Sequence, residues 1–501
     1  MSSALLIQGA RVKCFDAAGT EHEAADILVQ GGRIAAIGPN LVAPPGATVL
    51  DASGHLAIPG LINAHLHSPG NMLKGTVPAL PLELFMLREV PPLAANVPQA
   101  RLAYVRTMLG AIEMLKTGVT AVMDDAFHVP IATVEGIDAI ASAYRDIGMR
   151  ARLAIDQPEV VEYAKYPYLE ALLPAEAKAA MEAAPRQSGA ELLELYDHLI
   201  GAWDGAGEGR IGAALSCSAI QRVTPAYLDA LSALSRSRQL PFNVHILETR
   251  LQRVLGDEKY GRSLVRVAAD AGALSPHTVV IHAIWVDADD MRLLAETGVT
   301  VAHNPVCNLR LGSGVMPYRA LRDAGVHLSL GTDEAIADDS VNLWGALKQA
   351  GLVHTLAGQD WTAWPDAPEI LAMMYEGGAR ALGFAEALGV LQPGAAADIT
   401  LLDLDTAAFT PFNNLDRQLV YAETGASVRH VVVAGRLVVR DGRVTTLDER
   451  ALRAEARALA KQAMGDAAAA EEAAAGIEPH YAAMLRRSHA HPVPMRRRLD
   501  P

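Results

Sequence analysis

Two histidines, His65 and His67, stand at the end of the apolar run GLINAHLH, and alternation along a strand turns side chains i and i+2 to the same side. Such a pair can hold one cation, although histidines at a strand end also serve as ordinary hydrogen-bonding groups. The other histidines decide between these uses. His245 (NVHILE), His282 (VVIHAIW) and His303 (TVAHNPV) each fall inside or at the end of a different β-type run, and Asp333 follows another in LSLGTDE. One strand-end histidine would be a satisfied core residue; five of them with an aspartate are costly to bury among apolar strands unless they are paired or bind a metal. Catalytic zinc uses nitrogen and carboxylate ligands and keeps a position for water, so the set expected here is His65, His67, His245 and Asp333. Glu248 comes just after His245, where that strand should end. There it can lean over the metal as a general acid/base, carrying a proton between an activated water and a leaving amine.

Groups so far apart in sequence need a scaffold that gathers the ends of many strands. Apolar runs at 56–67, 120–127, 150–158, 211–219, 241–248, 278–285, 300–308 and 327–334 qualify, most of them followed by an amphipathic segment such as ARLAYVRTMLGAIEMLKTG. This alternation predicts an α/β chain with a (β/α)8 TIM-type barrel, whose catalytic residues sit at the C-terminal ends of the strands. Residues 4–57 read as short β runs broken by Gly, Pro and Asn, and the same style returns at 397–444. Both termini are therefore expected to build one small β-sandwich domain, from 1–57 and 391–447, around a barrel at 58–390. Residues 448–501 read as an Ala- and Glu-rich helix and a basic tail, in which His480, His489 and His491 belong to a docking or solvated segment rather than a metal site.

Composition narrows the partners. With 501 residues and 51% hydrophobic content the chain can bury a large core. Lys and Arg number 43 against 57 Asp and Glu, and a net charge of −14 disfavours nucleic acid and anionic membrane surfaces, which leaves a small molecule. The start, MSSALLIQGARVKCF, lacks the features of a secretory signal, and no long apolar run follows, so a cytoplasmic protein is expected. The cysteines Cys14, Cys217 and Cys307 are widely spaced with no CxxC, which leaves histidine and carboxylate to hold any metal.

Taken together, these segments resemble the amidohydrolase superfamily, in the branch of cytosine, guanine and S-adenosylhomocysteine deaminases and s-triazine hydrolases. GLINAHLH looks like its strand-one metal motif, NVHILET like its HxxE motif, VIHAIWVD like its next histidine motif, VAHNPVCNLRLGSGVMP like its His/Pro/Asn segment and LSLGTDE like its strand-eight Asp motif. The likeness covers nearly the whole chain. It implies one divalent metal, zinc or iron, on His65, His67, His245 and Asp333, with Glu248 and His282 acting on the water and the tetrahedral intermediate. Asp333 would also take a proton from the water, and His303 and Asn308 would lie in the substrate pocket. Binuclear relatives use a bridging lysine or acid on a middle strand; RARLAIDQP and IGAALSCSA hold no lysine, so one metal is expected. Relatives acting on adenosine-like substrates often carry a histidine after strand four, where this chain has SCSAIQRVTPAYL, with Gln221 and Arg222 as candidate substrate contacts; the departure counts against a nucleoside. The segment SPGNMLKGTVPALPLELFMLREVPP is expected as a pocket wall or an oligomer contact, and the family likeness implies a homodimer or homotetramer.

The activity these residues suit best is hydrolytic deamination of an amidine-type C–N bond in a small nitrogen-rich compound. Loss of chloride, an alkylamine, or the amine of a carbamate, urea or cyclic amide needs the same centre, but ammonia leaves poorly unless protonated, and Glu248 supplies that proton. A non-catalytic metal-binding barrel would have no use for Glu248 beside its ligands, and the PCxxC signature of nucleic-acid deaminases is absent.

Overall fold

The computed structural model describes residues 4–356, 358, 360–384 and 387–498, so the first residues and the last residues of the expected terminal segments lie outside it. The Gly- and Pro-punctuated start forms β1 (Leu5–Lys13), β2 (Glu21–Gln30), β3 (Arg33–Gly38), β4 (Thr48–Asp51) and β5 (His55–Pro59). The barrel strands follow: β6 (Leu61–Leu66), β7 (Val119–Phe127), β8 (Arg150–Asp156), β9 (Ile211–Ala213), β10 (Leu215–Ala219), β11 (Phe242–Ile246), β12 (Thr278–His282), β13 (Thr300–His303) and β14 (His327–Leu330). Near the other end come β15 (Ile399–Asp403), β16 (Val428–Val433), β17 (Arg436–Arg440) and β18 (Arg443–Val444).

Both ends of the chain are hydrogen-bonded into one nine-stranded sheet, in the order β18-β17-β16-β15-β5-β1-β2-β3 with β4 beside β1. The sheet closes over its own core of Leu5, Ile7, Val12, Ile27, Ile399 and Leu401. β15 runs antiparallel to β5, with Ile399 opposite Pro59 and Asp403 opposite His55. The run expected as one strand at 56–67 divides at Gly60, where a Cβ would stand 2.1 Å from Thr120 Oγ1; β5 goes to the terminal sheet and β6 to the barrel. The β-rich stretch 397–444 is interrupted by a helix, Leu415–Tyr421, capped where Asn414 Oδ1 accepts from the Arg417 N–H at 2.9 Å.

Between the ends the chain takes a TIM-barrel-type fold. β6 to β9 form one parallel sheet and β10 to β14 another. All of β6 and β7 is buried, as parallel strands covered on both faces require. The two sheets approach at both margins. On one side the run 211–219 is interrupted at Ala214, so that β9 pairs with β8 while β10 pairs with β11. On the other, Leu66 bridges Asp333, and Asn63 and Thr332 exchange hydrogen bonds of 2.8 and 3.1 Å. Gly331 permits that approach, since a Cβ there would lie 2.4 Å from Asn304 Oδ1 and 3.0 Å from the His65 nitrogen.

Helices α1 (Leu82–Glu89), α2 (Ala100–Lys116) and α3 (Val134–Ile147) follow the first strands. The apolar stripe of α2, including Val105, Met108, Ile112 and Leu115, is buried. A buried, bidentate pair, Arg150 to Asp398 at 3.0 and 3.1 Å, ties β8 to the terminal sheet. The C-terminal tail docks: Tyr481 is buried, His491 Nδ1 lies 3.2 Å from Glu258, and Arg497 donates to the carbonyls of Ile284 and Val286, both at 2.8 Å. Among the described residues no helix is long and apolar enough to cross a membrane.

Candidate active site

The strand ends on one face of the barrel deliver the ionisable groups. β6 carries His65 and, just past its end, His67; β11 carries His245, β12 ends on His282, and Asp333 follows β14. Nitrogens of His65, His67 and His245 all lie within 4.8 Å of one another. Asp333 faces them, its Oδ1 3.5 Å from His65 Nε2 and 3.6 Å from His67 Nε2, and its Oδ2 3.7 Å from His282 Nε2. The backbone bends sharply to achieve this, for Ser218, His282 and Asp333 take φ of +60°, +74° and +63°. Each such residue costs roughly 1–3 kcal/mol and persists only when its surroundings hold it. For Asp333 the hold includes a main-chain bond to the His65 carbonyl at 3.1 Å, and beside His282 the Ala283 N–H donates to Ile246 at 3.2 Å.

The ring nitrogens show what the cluster fits. His67 Nδ1 donates to the Asp125 carbonyl and His245 Nδ1 to that of Ser218 at 2.7 Å, which fixes each ring; in His245, a neutral ring, this leaves the lone pair on Nε2, whereas His67 must give up its second proton to act as a ligand. His65 is fully buried with neither ring nitrogen hydrogen-bonded, a costly state for a polar group. Burial lowers His65 to about 4 and holds His245 and His282 below the ordinary imidazole range, so these rings are neutral. For His67 burial also lowers, but Asp333, Asp156, Asp125 and Glu89 outweigh it and carry the ring up to about 9. Neutral imidazoles, an orphaned ring and one ionised aspartate are a donor set that suits a divalent cation.

Glu248 follows β11 and is 3% exposed, with Oε2 3.6 Å from His282 Nε2 and Oε1 accepting from Ser313 Oγ at 3.4 Å. Burial, reinforced by Asp333 and Glu83 and opposed by Arg222, pushes its carboxyl up to about 8. His282 in turn donates from Nδ1 to Asn308 Oδ1 at 2.9 Å. The cleft over this cluster is lined by Glu248, His282, Ser218, Arg222 and a wall from α1, with Leu82, Met86 and Glu89. The segment after the first histidines is therefore a pocket wall.

Three residues expected against the substrate do not line the cleft. His303 is turned away on β13 and pairs ring to ring with His354, Nε2 to Nε2 at 3.1 Å. Asn308 stands behind His282, whose Nδ1 it holds. The short 3-10 turn Ile220–Arg222 buries Gln221 and sends Arg222 to the cleft, where Nη1 donates to Ser218 Oγ at 2.9 Å. The sequence reading missed Asp125, Asp156, Glu89 and Glu334. Asp156, Glu89 and Glu334 line the cleft, and Asp125 sits behind His67 with both carboxylate oxygens buried and no hydrogen-bond partner. Burial and the nearby Asp156 hold the Asp125 carboxyl well above its usual range. His67, Asp125 and Asp156 form a second close group of potential ligands. The rule that found the histidines, an ionisable residue at the end of an apolar strand, also selects the acids in TAVMDDAF, RARLAIDQP and LSLGTDE.

Residues 56–438 match the sequence pattern of the amidohydrolase family. The 5-methylthioadenosine/S-adenosylhomocysteine deaminase of Desulforudis audaxviator is 32% identical over 439 residues, which is 87% of this chain and 93% of that one. Among solved structures, an adenosine deaminase from Xanthomonas campestris with bound zinc superposes with a TM-score of 0.77 at 26% identity, over 92% of this chain and 98% of that one. The zinc complex of atrazine chlorohydrolase from Arthrobacter aurescens gives 0.79 at 26%, over 91% and 100%.

Proposed function

The chain belongs to the amidohydrolase family, and on that footing we propose that it is a zinc-dependent deaminase that hydrolyses the bond between a ring carbon and its exocyclic amino group in a nitrogen heterocycle of the aminopurine type. One observation carries the proposal: Glu248, buried and protonated to about pH 8, stands beside His282 at the edge of the His65, His67, His245 and Asp333 cluster. A leaving amine needs such an acid; a leaving chloride does not. The names of the relatives, deaminases of 5-methylthioadenosine, S-adenosylhomocysteine and adenosine, support an adenosine-like nucleoside, against the expectation drawn from SCSAIQRVTPAYL.

His65, His67, His245 and Asp333 would hold a single zinc ion, whose chemistry is to make water nucleophilic near neutral pH. Asp333 Oδ2 accepts the proton of the attacking water. Glu248 gives its own proton to the departing amine, and His282, neutral and held by Asn308, presents a bare Nε2 between the two carboxyls at 3.6 and 3.7 Å, where a proton can rest in passage. The scaffold is read as a closed (β/α)8 barrel, its sheets joined through 211–219 on one side and the Leu66–Asp333 bridge on the other.

A second reading, displacement of chloride or an alkylamine from a triazine, is favoured by the likeness to atrazine chlorohydrolase. Assaying the zinc-loaded protein for ammonia on aminopurines, their nucleosides, aminopyrimidines and aminotriazines, and for chloride on chlorotriazines, separates the two. Ammonia from an amino heterocycle is the expected result; chloride release alone would replace the deaminase with the second reading.

A further inference from the structure

The far wall of the cleft holds two carboxyl groups with no chemical task in the reaction above. Glu89 ends α1 and Glu334 follows Asp333. Both are buried, 6% and 4% exposed. They come together beside Gly70, where an added Cβ would stand 3.5 Å from both Glu89 Oε1 and Glu334 Cβ, an ordinary van der Waals distance. Among the described residues no lysine or arginine pairs with either, and Glu89 Oε1, buried beside the cleft, receives no hydrogen bond from the protein. The cleft's two cations are already engaged, Lys165 with Glu162 at 2.6 Å and Arg222 with Ser218 at 2.9 Å. Asp156 adds a third carboxylate to the lining.

With only the His67 ring to offset them, burying two acids against each other is unfavourable unless something else satisfies them. Both residues line the same cleft as Glu248 and Asp333, which a substrate would occupy. What complements two adjacent carboxyls is a pair of N–H donors on one edge, or a delocalised nitrogen cation, bound by charge-assisted hydrogen bonds.

We propose that Glu89 and Glu334 form a specificity subsite for a second amidine-type edge of the substrate, so that the cleft selects diamino heterocycles and amidinium-like cations over rings carrying only the amino group that is lost. The proposal rests on the deaminase reading for the identity of that lost group, but the subsite can be probed without turnover.

The probe is benzamidine, with benzamide as its neutral counterpart, titrated calorimetrically into the zinc-loaded protein and into Glu89→Gln. Benzamidine is expected to bind at least tenfold more tightly than benzamide, and Glu89→Gln to erase most of that difference. Equal affinities in the unaltered protein, a result that needs no folded variant, overturn the subsite, as does a benzamidine preference untouched in a folded Glu89→Gln. In parallel, ammonia release is compared for 2,6-diaminopurine against adenine and 2,4-diaminopyrimidine against 4-aminopyrimidine, with the diamino members expected to lead in kcat/KM by roughly tenfold, the scale of one charge-assisted contact. Benzamidine selectivity without ammonia from any compound leaves the subsite standing and removes the deaminase; ammonia release with no selectivity in either experiment does the reverse.

Discussion

The Nδ1 hydrogen of His282 is held by Oδ1 of Asn308 across 2.9 Å, joining the end of β12 to the helix Pro305–Arg310 that follows β13. Asn308 thus sets both the tautomer and the direction of the ring that faces Glu248 and Asp333. Asn308→Ala should lower kcat by roughly 10-fold or more while zinc content and KM change little, since partners behind a working histidine act on its orientation. Steady-state kinetics with elemental analysis checks this; an unchanged kcat would remove Asn308 from the positioning chain.

Glu248→Gln keeps the shape of the side chain and removes its proton. Zinc should remain bound while ammonia release falls by roughly 10²-fold or more, the scale of a positioned acid. If the variant turns over amino substrates at the original rate, another group must protonate the amine.

Asp333 contributes the carboxylate opposite three imidazoles. Asp333→Asn should therefore reduce both zinc occupancy and activity. Stripping the ion from the unaltered protein with a chelator should lower its melting temperature, and zinc should restore it, because a ligand present at about a thousandfold over its Kd stabilises the folded form by about 4 kcal/mol. Identical melts before and after chelation would argue against a resident ion in this cluster.

The buried pair between Arg150 and Asp398 predicts a stability effect away from the chemistry. Asp398→Ala leaves a guanidinium buried without its partner and should destabilise the protein by about 3–5 kcal/mol, whereas replacing both residues with apolar ones should recover much of that. Urea unfolding of the single and double variants measures the difference.

The sequence carried most of this arrangement because its strongest signals are local. A histidine flanked by Val and Ile, as in VVIHAIW, marks a strand and a functional group at once. What it could not carry were the places where contact with a distant segment decides. Nothing local divides 56–67 into two strands; Thr120, crowding Gly60, does. The break inside 211–219 likewise follows from which neighbour each half pairs with. His303 has the same credentials as His282, yet His354 claims it. The acids Glu89 and Glu334 were invisible as a pair because α1 and the end of β14 meet only in three dimensions.

The pairing of β5 with β15 sets an order of events during synthesis. The first strands leave the ribosome with the open edge of β5 exposed, and its partner is made only after every barrel strand. The nascent chain must therefore carry an unsatisfied sheet edge throughout barrel assembly, a long-range closure that slows folding and favours aggregation. Holdase chaperones that shield such edges should matter more for the yield of this protein than for barrels whose first strand meets its neighbour at once.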